Sequence, residues 1–307
     1  MLQDFKGVIP ILPTPFNADE SIDESSLETI VDFAKAAGCT TVGLPAFGSE
    51  FYKLSGDERS RILDIVFKNA DDLKIIVQCN HPSPTIVQTL IKDAANRGAA
   101  AINSALPRMM PVAENQLYQY ASVVCRSTTL SVIIQDYNPG GAIIGLDFAK
   151  KLSDEFENFR FIKYEVPGIG PLINDILVST KHKVKVFSGW GGSYLLEQFT
   201  AGIAGIMPGI PLVDYFIKLW DHVSVGNEKM AMQMFTAIAP YLAFSLQHLE
   251  MFHHVEKQLA VRRGIMHSSV VRRVSVELDS YQKQYLELIL DQTCDAIVEY
   301  GFKLRAD

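Results

Sequence analysis

The residues with the clearest chemical potential lie in Phe159–Gly170, FRFIKYEVPGIG, where a short apolar run ends in Lys163. Glu165 follows two positions later, and Pro167-Gly168 then breaks the chain. On an extended strand alternate side chains share a face, so Lys163 and Glu165 point one way and Tyr164 the other. An amine at the end of an apolar strand, beside a carboxylate and just ahead of a loop, suits attack on a carbonyl to give a Schiff base, because desolvation favours the free amine. The competing reading is a lysine that snorkels from a strand end into solvent. The elements that position the lysine bear on the choice.

Short apolar runs alternate with longer helical patterns along the chain. The runs are Gly7–Leu12, Thr40–Leu44, Lys74–Gln78, Ala99–Asn103, Leu130–Gln135, Arg160–Lys163, Val184–Phe187 and Ala204–Met207. Between them, Ser25-Ser26-Leu27-Glu28 opens a helix ending at Gly38, Gly56-Asp57-Glu58 opens a second, and Ser83–Arg97 closes at Gly98. Pro111–Glu114 and Gly145–Asp147 open two more. Strand then helix, eight times over, predicts an α/β fold of the (β/α)8 TIM-barrel type. A doubly wound sheet is the main competitor, but its glycine fingerprint is missing. Beyond the helix Leu212–Val225, the stretches Asn227–Gln247, Phe252–Arg263 and Leu278–Tyr300 read as helical. The expected organisation is therefore a catalytic barrel over 1–225 and a C-terminal helical bundle over 226–307. Chemistry in such barrels sits at the C-terminal ends of the strands, which places Lys163 at the mouth.

Composition narrows the function classes. A chain of 307 residues that is 48% hydrophobic and 21% charged can bury a sizeable core. The net charge of −7 argues against nucleic-acid binding, because no strongly basic half is present to neutralise phosphates. Cys39, Cys79, Cys125 and Cys294 are scattered without a CxxC, which is not a disulfide framework and suggests a reducing compartment. MLQDFKGVIPIL lacks a basic n-region and a long apolar core, and no run approaches the roughly 18 apolar residues of a membrane span. A cytoplasmic protein without membrane partners is expected. HExxH and related zinc spacings are absent, so no metal is expected, and the cluster His248, His253, His254 reads as surface or packing. Neither a Walker A motif nor a GxGxxG follows a strand, so nucleotide chemistry has no support.

Six motifs carry a resemblance. They are GVIPILPTPF at the first strand, LPAFGSEFYKLSGDER at the second, IIQDYNPGG at the fifth, FIKYEVPG at the sixth, FSGWGG at the seventh and GIMPG at the eighth. Together they resemble the dihydrodipicolinate synthase/N-acetylneuraminate lyase family of class I aldolases, from Gly7 to about Gly209 and more loosely through the C-terminal helices. The resemblance implies that Lys163 forms an imine with pyruvate or another 2-oxo acid, with no cofactor beyond that covalent bond. It also implies a homo-oligomer, a tetramer built from dimers or a dimer.

The departures from the family pattern bear on substrate. The usual Gly-Thr-Thr-Gly-Glu of the second loop is Ala46-Phe47-Gly48-Ser49-Glu50, so donors for the substrate carboxylate fall to Gly48 and Ser49. Glu50 is expected to brace that loop. Thr14, Gly189, Trp190 and Met207 complete the implied substrate contacts, with Trp190 serving as a wall of the pocket or in packing. The family's proton-relay tyrosine maps to Gln135 by its spacing from Lys163 and to Tyr137 by the Tyr-Asn dipeptide, and periodicity leaves both open because the two share a face. The arginine expected after this motif is missing from Pro139–Ile143, and Arg108-Met109-Met110 replaces the fourth-loop tyrosine pair. Both absences count against aspartate semialdehyde as acceptor. Ser-Glu in loop two, Gln-Asp in strand five and Lys-x-Glu-x-Pro-Gly in strand six are most similar to 2-keto-3-deoxy-L-arabonate dehydratases and related sugar-acid enzymes. There Glu165 is either an acid/base at C3 or a partner that orients the lysine. The expected activity is a dehydratase or aldolase on a keto-deoxy sugar acid, with dihydrodipicolinate synthase or N-acetylneuraminate lyase activity as the alternative. The displaced tyrosine leaves open a different class, a barrel that binds 2-oxo acids without turnover.

Overall fold

The β-branched and apolar runs form short strands in the computed structural model, which describes residues 2–304. They are β1 (Gly7–Val8), β2 (Thr41–Leu44), β3 (Lys74–Gln78), β4 (Ala101–Ala105), β5 (Ser131–Asp136), β6 (Phe159–Tyr164), β7 (Lys185–Ser188) and β8 (Gly205–Ile206). The helices between them are α1 (Glu24–Ala36), α2 (Gly56–Asn69), α3 (Pro84–Asn96), α4 (Glu114–Arg126), α5 (Leu146–Glu155), α6 (Gly170–Ser179), α7 (Leu195–Phe199) and α8 (Val213–Ser224). Three more follow, α9 (Glu228–Ser245), α10 (Leu249–Arg262) and α11 (Ser280–Glu299). Eight parallel strands alternating with eight helices, extended by α9–α11, make a (β/α)8 barrel with a C-terminal helical extension. No helix among the described residues is long and apolar enough to cross a membrane.

Capping chemistry sets several helix starts. Asp23 caps α1 by accepting from the Ser26 N–H at 3.0 Å, two residues ahead of the Ser25 start expected from sequence. Ser55 and Glu58 close a reciprocal capping box on α2, as do Asp279 and Gln282 on α11. Strands β4 and β5 are buried along their whole length, as strands covered on both faces must be.

The chain divides into two compact units. One comprises the N-terminal residues through Gly7 together with Lys74–Met207. Here β3 to β8 pair in sequence order, all parallel, with Gln78 level with Asn103, Gln135 level with Lys163, and Lys163 level with Phe187. Phe161 lies two residues before Lys163 on the same face and stacks on Phe187, ring centroids 5.0 Å apart. Gly205 admits no side chain, since a Cβ would sit 2.0 Å from the Gly7 carbonyl oxygen.

The other unit comprises Val8–Leu73 and the residues from Pro208 onward. Sequence predicts one strand over Gly7–Leu12, but the ladder is broken after Val8 and resumes at Ile11, which bridges both Gly43 and Gly209. Pro10 and Pro13 have no N–H to donate, so an uninterrupted ladder is impossible there. The Pro10 carbonyl still accepts from Gly43, and Leu12 donates back to the Gly43 carbonyl. In this unit α10 packs on the short 3-10 turn Phe47–Ser49, with the Phe252 ring 3.3 Å from where a Gly48 Cβ would lie.

Candidate active site

Lys163 is the penultimate residue of β6 and its side chain is 6% exposed, above the apolar stack of Phe161 and Phe187. The Glu165 carboxylate, one residue beyond the strand end, stands 3.2 Å from the Lys163 Nζ. The same oxygen, Oε1, accepts from Gln135 Nε2 at 2.7 Å, and Gln135 Oε1 is approached by Asn103 Nδ2 at 3.5 Å. Three neighbouring strands thus supply one buried polar row, Asn103–Gln135–Glu165–Lys163.

The other carboxylate oxygen, Oε2, accepts the backbone N–H of Trp190. Trp190 holds φ at +47°, in the left-handed region, which costs a non-glycine residue roughly 1–2 kcal/mol. That conformation aims the N–H at Glu165. Gly189 makes room for the arrangement, since a Cβ on it would lie 2.0 Å from Oε2 and 2.2 Å from the carboxylate carbon. The Gly189 N–H donates to the Tyr164 carbonyl at 2.7 Å, continuing the β6–β7 ladder and fixing the turn against Glu165. The resemblance implies Gly189 and Trp190 as substrate contacts; in the structure the Trp190 N–H bonds Glu165, and Gly189 leaves room for that carboxylate.

Tyr137, just past β5, stacks on Trp190 at 6.2 Å between centroids. Burial, and after it the charge of Glu165, push its phenol up to about 12, so it stays protonated near neutrality. Of the two residues that sequence left open, Gln135 is hydrogen-bonded to Glu165 within the lysine–carboxylate row. Met207 follows β8, is 3% exposed, and donates its N–H to the Ser188 carbonyl.

Thr14, Gly48, Ser49 and Glu50 belong to the second unit and form a cluster of their own. The Ser49 hydroxyl accepts from the Ala46 N–H at 2.9 Å and donates to the Leu12 carbonyl at 2.5 Å. Thr14 donates to the Ser49 carbonyl at 2.7 Å. The single hydroxyl proton of Ser49 is therefore committed to the backbone. Glu50, fully buried, pairs with Lys257 at 2.5 Å and Lys53 at 3.0 Å.

Two features escaped the sequence reading. Asp136, on the face of β5 opposite Gln135, is fully buried and binds Arg108 through two hydrogen bonds of 2.9 Å, and it also accepts the Ile144 N–H at 2.7 Å. Burial pushes its carboxyl up, against the pull of Ile144 and Arg108. The pair ties the loops after β4 and β5 together. A carboxylate next to the candidate glutamine was visible in Gln135-Asp136, but its partner lay 28 residues upstream with no spacing rule to connect them. The second feature is the set of α10 residues gathered around Glu50.

Comparison with known proteins agrees with these motifs. The family model described as the dihydrodipicolinate synthetase family matches residues 4–293. A 4-hydroxy-tetrahydrodipicolinate synthase of Chlorobium phaeovibrioides is 29% identical over 230 residues, 73% of this chain and 77% of that protein. An L-2-keto-3-deoxyarabonate dehydratase of Azospirillum brasilense is 24% identical over 211 residues, 66% of this chain and 68% of that protein. The crystal structure of dihydrodipicolinate synthase from Rhodopseudomonas palustris superposes with a TM-score of 0.88 at 21% identity, covering 95% of this chain and all of that one. The chain belongs to the dihydrodipicolinate synthetase family.

Proposed function

We propose that the protein is a lysine-dependent lyase acting on a 2-oxo acid of the 2-keto-3-deoxy sugar-acid class. The observation that carries this reading is the buried Lys163–Glu165 pair at 3.2 Å, with Gln135 and the Trp190 N–H holding the carboxylate in place. The Lys163 amine adds to the C2 carbonyl and water leaves, giving an imine. Glu165 accepts a proton from C3, and the electron pair released at C3 is drawn into the imine as an enamine. From the enamine, loss of the C4 hydroxyl as water, with a proton returned from the site, re-forms the imine with a C3–C4 double bond. For an aldolase the proton is instead taken from the C4 hydroxyl of the first imine, C4 leaves as an aldehyde, and the C3–C4 electron pair passes into the imine as an enamine that is then protonated at C3. In both cases water finally hydrolyses the imine and frees the Lys163 amine.

Glu165 as proton acceptor is supported by the lack of any other anionic group hydrogen-bonded to this row among the described residues. Tyr137, protonated and stacked on Trp190, is assigned to the wall of the site. The Azospirillum relative, named as an L-2-keto-3-deoxyarabonate dehydratase, supports the sugar-acid class. Borohydride reduction in the presence of pyruvate, followed by mass spectrometry of the intact protein and its peptides, tests the reading. One pyruvate-derived adduct on Lys163 is expected; no adduct refutes imine formation. An adduct with no turnover on any 2-oxo acid would leave the protein a binding barrel.

A further inference from the structure

The buried row that ends on Lys163 has a direction. A side-chain amide has a donor end and an acceptor end, whereas an ionised carboxylate can only accept. Glu165 Oε1 takes the Nε2 end of Gln135 at 2.7 Å, which leaves Gln135 Oε1 turned away from the carboxylate. That oxygen needs a donor, and Asn103 Nδ2 approaches it at 3.5 Å. Asn103 lies on β4 level with Ile133, two residues before Gln135, so both amides stand on one face of the sheet. Both are buried, and the Asn103 Oδ1 has no hydrogen-bond partner among the described residues. A buried oxygen without a donor carries a desolvation cost that an apolar side chain would avoid. The amide at position 103 is therefore accounted for by its donor end, the end turned toward Gln135. Asn103, Gln135, Lys163, Glu165 and Trp190 all belong to the unit that contains β3 to β8.

We propose that Asn103 is a positioning residue for Glu165 that acts through Gln135: by donating to the Gln135 oxygen it keeps the Gln135 N–H group on the carboxylate. The proposal rests on the reading of Glu165 as proton acceptor made above. Turned end for end, the Gln135 amide would set its oxygen against Glu165 Oε1, two acceptors with no proton between them. The carboxylate would then be held by Lys163 and the Trp190 N–H alone. Its Oε1 would swing away from Gln135, and the direction in which Glu165 meets a C3 proton would change with it.

The test uses the full chain, with exchange of the pyruvate methyl protons in D2O followed by NMR and borohydride trapping of pyruvate measured alongside. Exchange reports imine formation and C3 deprotonation together, whereas trapping reports the imine alone. Asn103→Asp keeps the shape but offers only oxygens, so Gln135 must turn its N–H group away from Glu165. The saturating exchange rate is expected to fall about tenfold, while half-saturation and trapping stay within about threefold of the parent. Asn103→Leu, which removes the donor without imposing the wrong direction, should cost about threefold in rate. In a Gln135→Ala background Asn103→Asp should change the rate less than about twofold, because the group it acts through is gone. Exchange at the parent rate in a folded Asn103→Asp protein overturns the proposal. So does a parallel fall in trapping, or a further fall of about threefold or more in the Gln135→Ala background. If Asn103→Asp does not fold, Asn103→Leu decides: no loss of rate, or an equal loss in the Gln135→Ala background, overturns the proposal. A parent protein with no pyruvate adduct, or undiminished exchange in Glu165→Gln, sinks the function reading itself. A parent that forms the adduct and depends on Glu165, beside an Asn103→Asp variant that exchanges normally, sinks only the role of Asn103.

Discussion

Replacing Gly189 by alanine separates the two roles that Lys163 and Glu165 are assigned. The backbone at Gly189 has φ −95°, so the substitution does not place a side chain in the left-handed region. The new methyl would lie 2.0 Å from Glu165 Oε2, 2.2 Å from the carboxylate carbon and 2.4 Å from Oε1. Ordinary carbon–oxygen contact begins above 3 Å, so the carboxylate must retreat by about 1 Å. A shift of that size breaks the Trp190 N–H bond and stretches the 2.7 Å bond from Gln135 and the 3.2 Å approach of Lys163. Misplacement of a catalytic group by 1 Å costs about 100-fold in rate, or about 2.7 kcal/mol of transition-state stabilisation. Lys163 is held by its own strand and keeps its place. Borohydride trapping of pyruvate by Gly189→Ala should therefore stay within about threefold of the parent, while methyl-proton exchange in D2O falls about 100-fold. Glu165→Gln should reproduce that split. Exchange undiminished in both variants would refute Glu165 as the base, and trapping reduced in parallel with exchange would show that the carboxylate serves to orient the lysine.

Three further outcomes follow from the same geometry. Gln135→Ala should lower exchange by about tenfold through loss of the hydrogen bond that fixes Glu165, whereas Tyr137→Phe, measured alongside, should change it less than about threefold; the reverse order would return the relay to the tyrosine. Arg108→Met leaves Asp136 buried with only the Ile144 N–H as partner and should reduce unfolding free energy by about 3 kcal/mol in denaturant titration, with Asp136→Asn added to it recovering part of the loss. Glu256, fully enclosed and hydrogen-bonded by Tyr241 at 2.6 Å, is pushed by burial from 4.5 up to about 7. A carboxyl raised in the folded state contributes stability that is complete below the unfolded value of 4.5 and lost as pH rises through about 7. Relative to its standing at pH 4.5, Glu256→Gln should thus gain about 3 kcal/mol on the parent by pH 8 in urea titrations; a pH-independent difference would refute the burial account.

What the sequence made legible follows from what periodicity encodes. The alternation of apolar runs and helical patterns located all eight strands, because strands buried on both faces read as short continuous apolar segments. It overran at Gly7–Leu12, where Pro10 and Pro13 interrupt the ladder without interrupting the apolar run. The pairing of Lys163 with Glu165 was legible for a local reason, since residues i and i+2 of a strand share a face whatever the rest of the fold does. Register across strands is not local. That Gln135 is bonded to the carboxylate depends on β5 lying level with β6 at Gln135 and Lys163, which no spacing along the chain specifies. Lys257 was illegible for the same reason, being 207 residues from Glu50 and outwardly one more lysine on an amphipathic helix.

Placing a carboxylate two residues after the lysine has a consequence for how the site tolerates change. Where a proton relay is assembled from tyrosines on separate elements, each donor depends on loop geometry and, when it comes from a neighbouring subunit, on assembly. Here the amine and the carboxylate share one short stretch of backbone, so no loop movement can part them by more than their own side-chain rotations allow. What varies is the direction of the carboxylate, and that is set by three donors: Lys163 on β6 itself, and on the two adjoining elements Gln135 of β5 and the Trp190 N–H after β7. The strained backbone at Trp190 makes sense in these terms. Roughly 1–2 kcal/mol of local strain maintains one N–H bond to a buried charge, and hydrogen bonds to charged groups are worth about 1.5–3 kcal/mol. The balance favours the observed geometry only while the carboxylate is present. Glu165→Gln can keep an oxygen toward Trp190 and should keep the turn; Glu165→Ala removes the acceptor and should let Trp190 relax out of the left-handed region. Release of the Tyr137 stack would then be read as a change in tryptophan fluorescence in Glu165→Ala and not in Glu165→Gln. Identical spectra for the two variants would show that the turn is held by its own glycines rather than by the carboxylate.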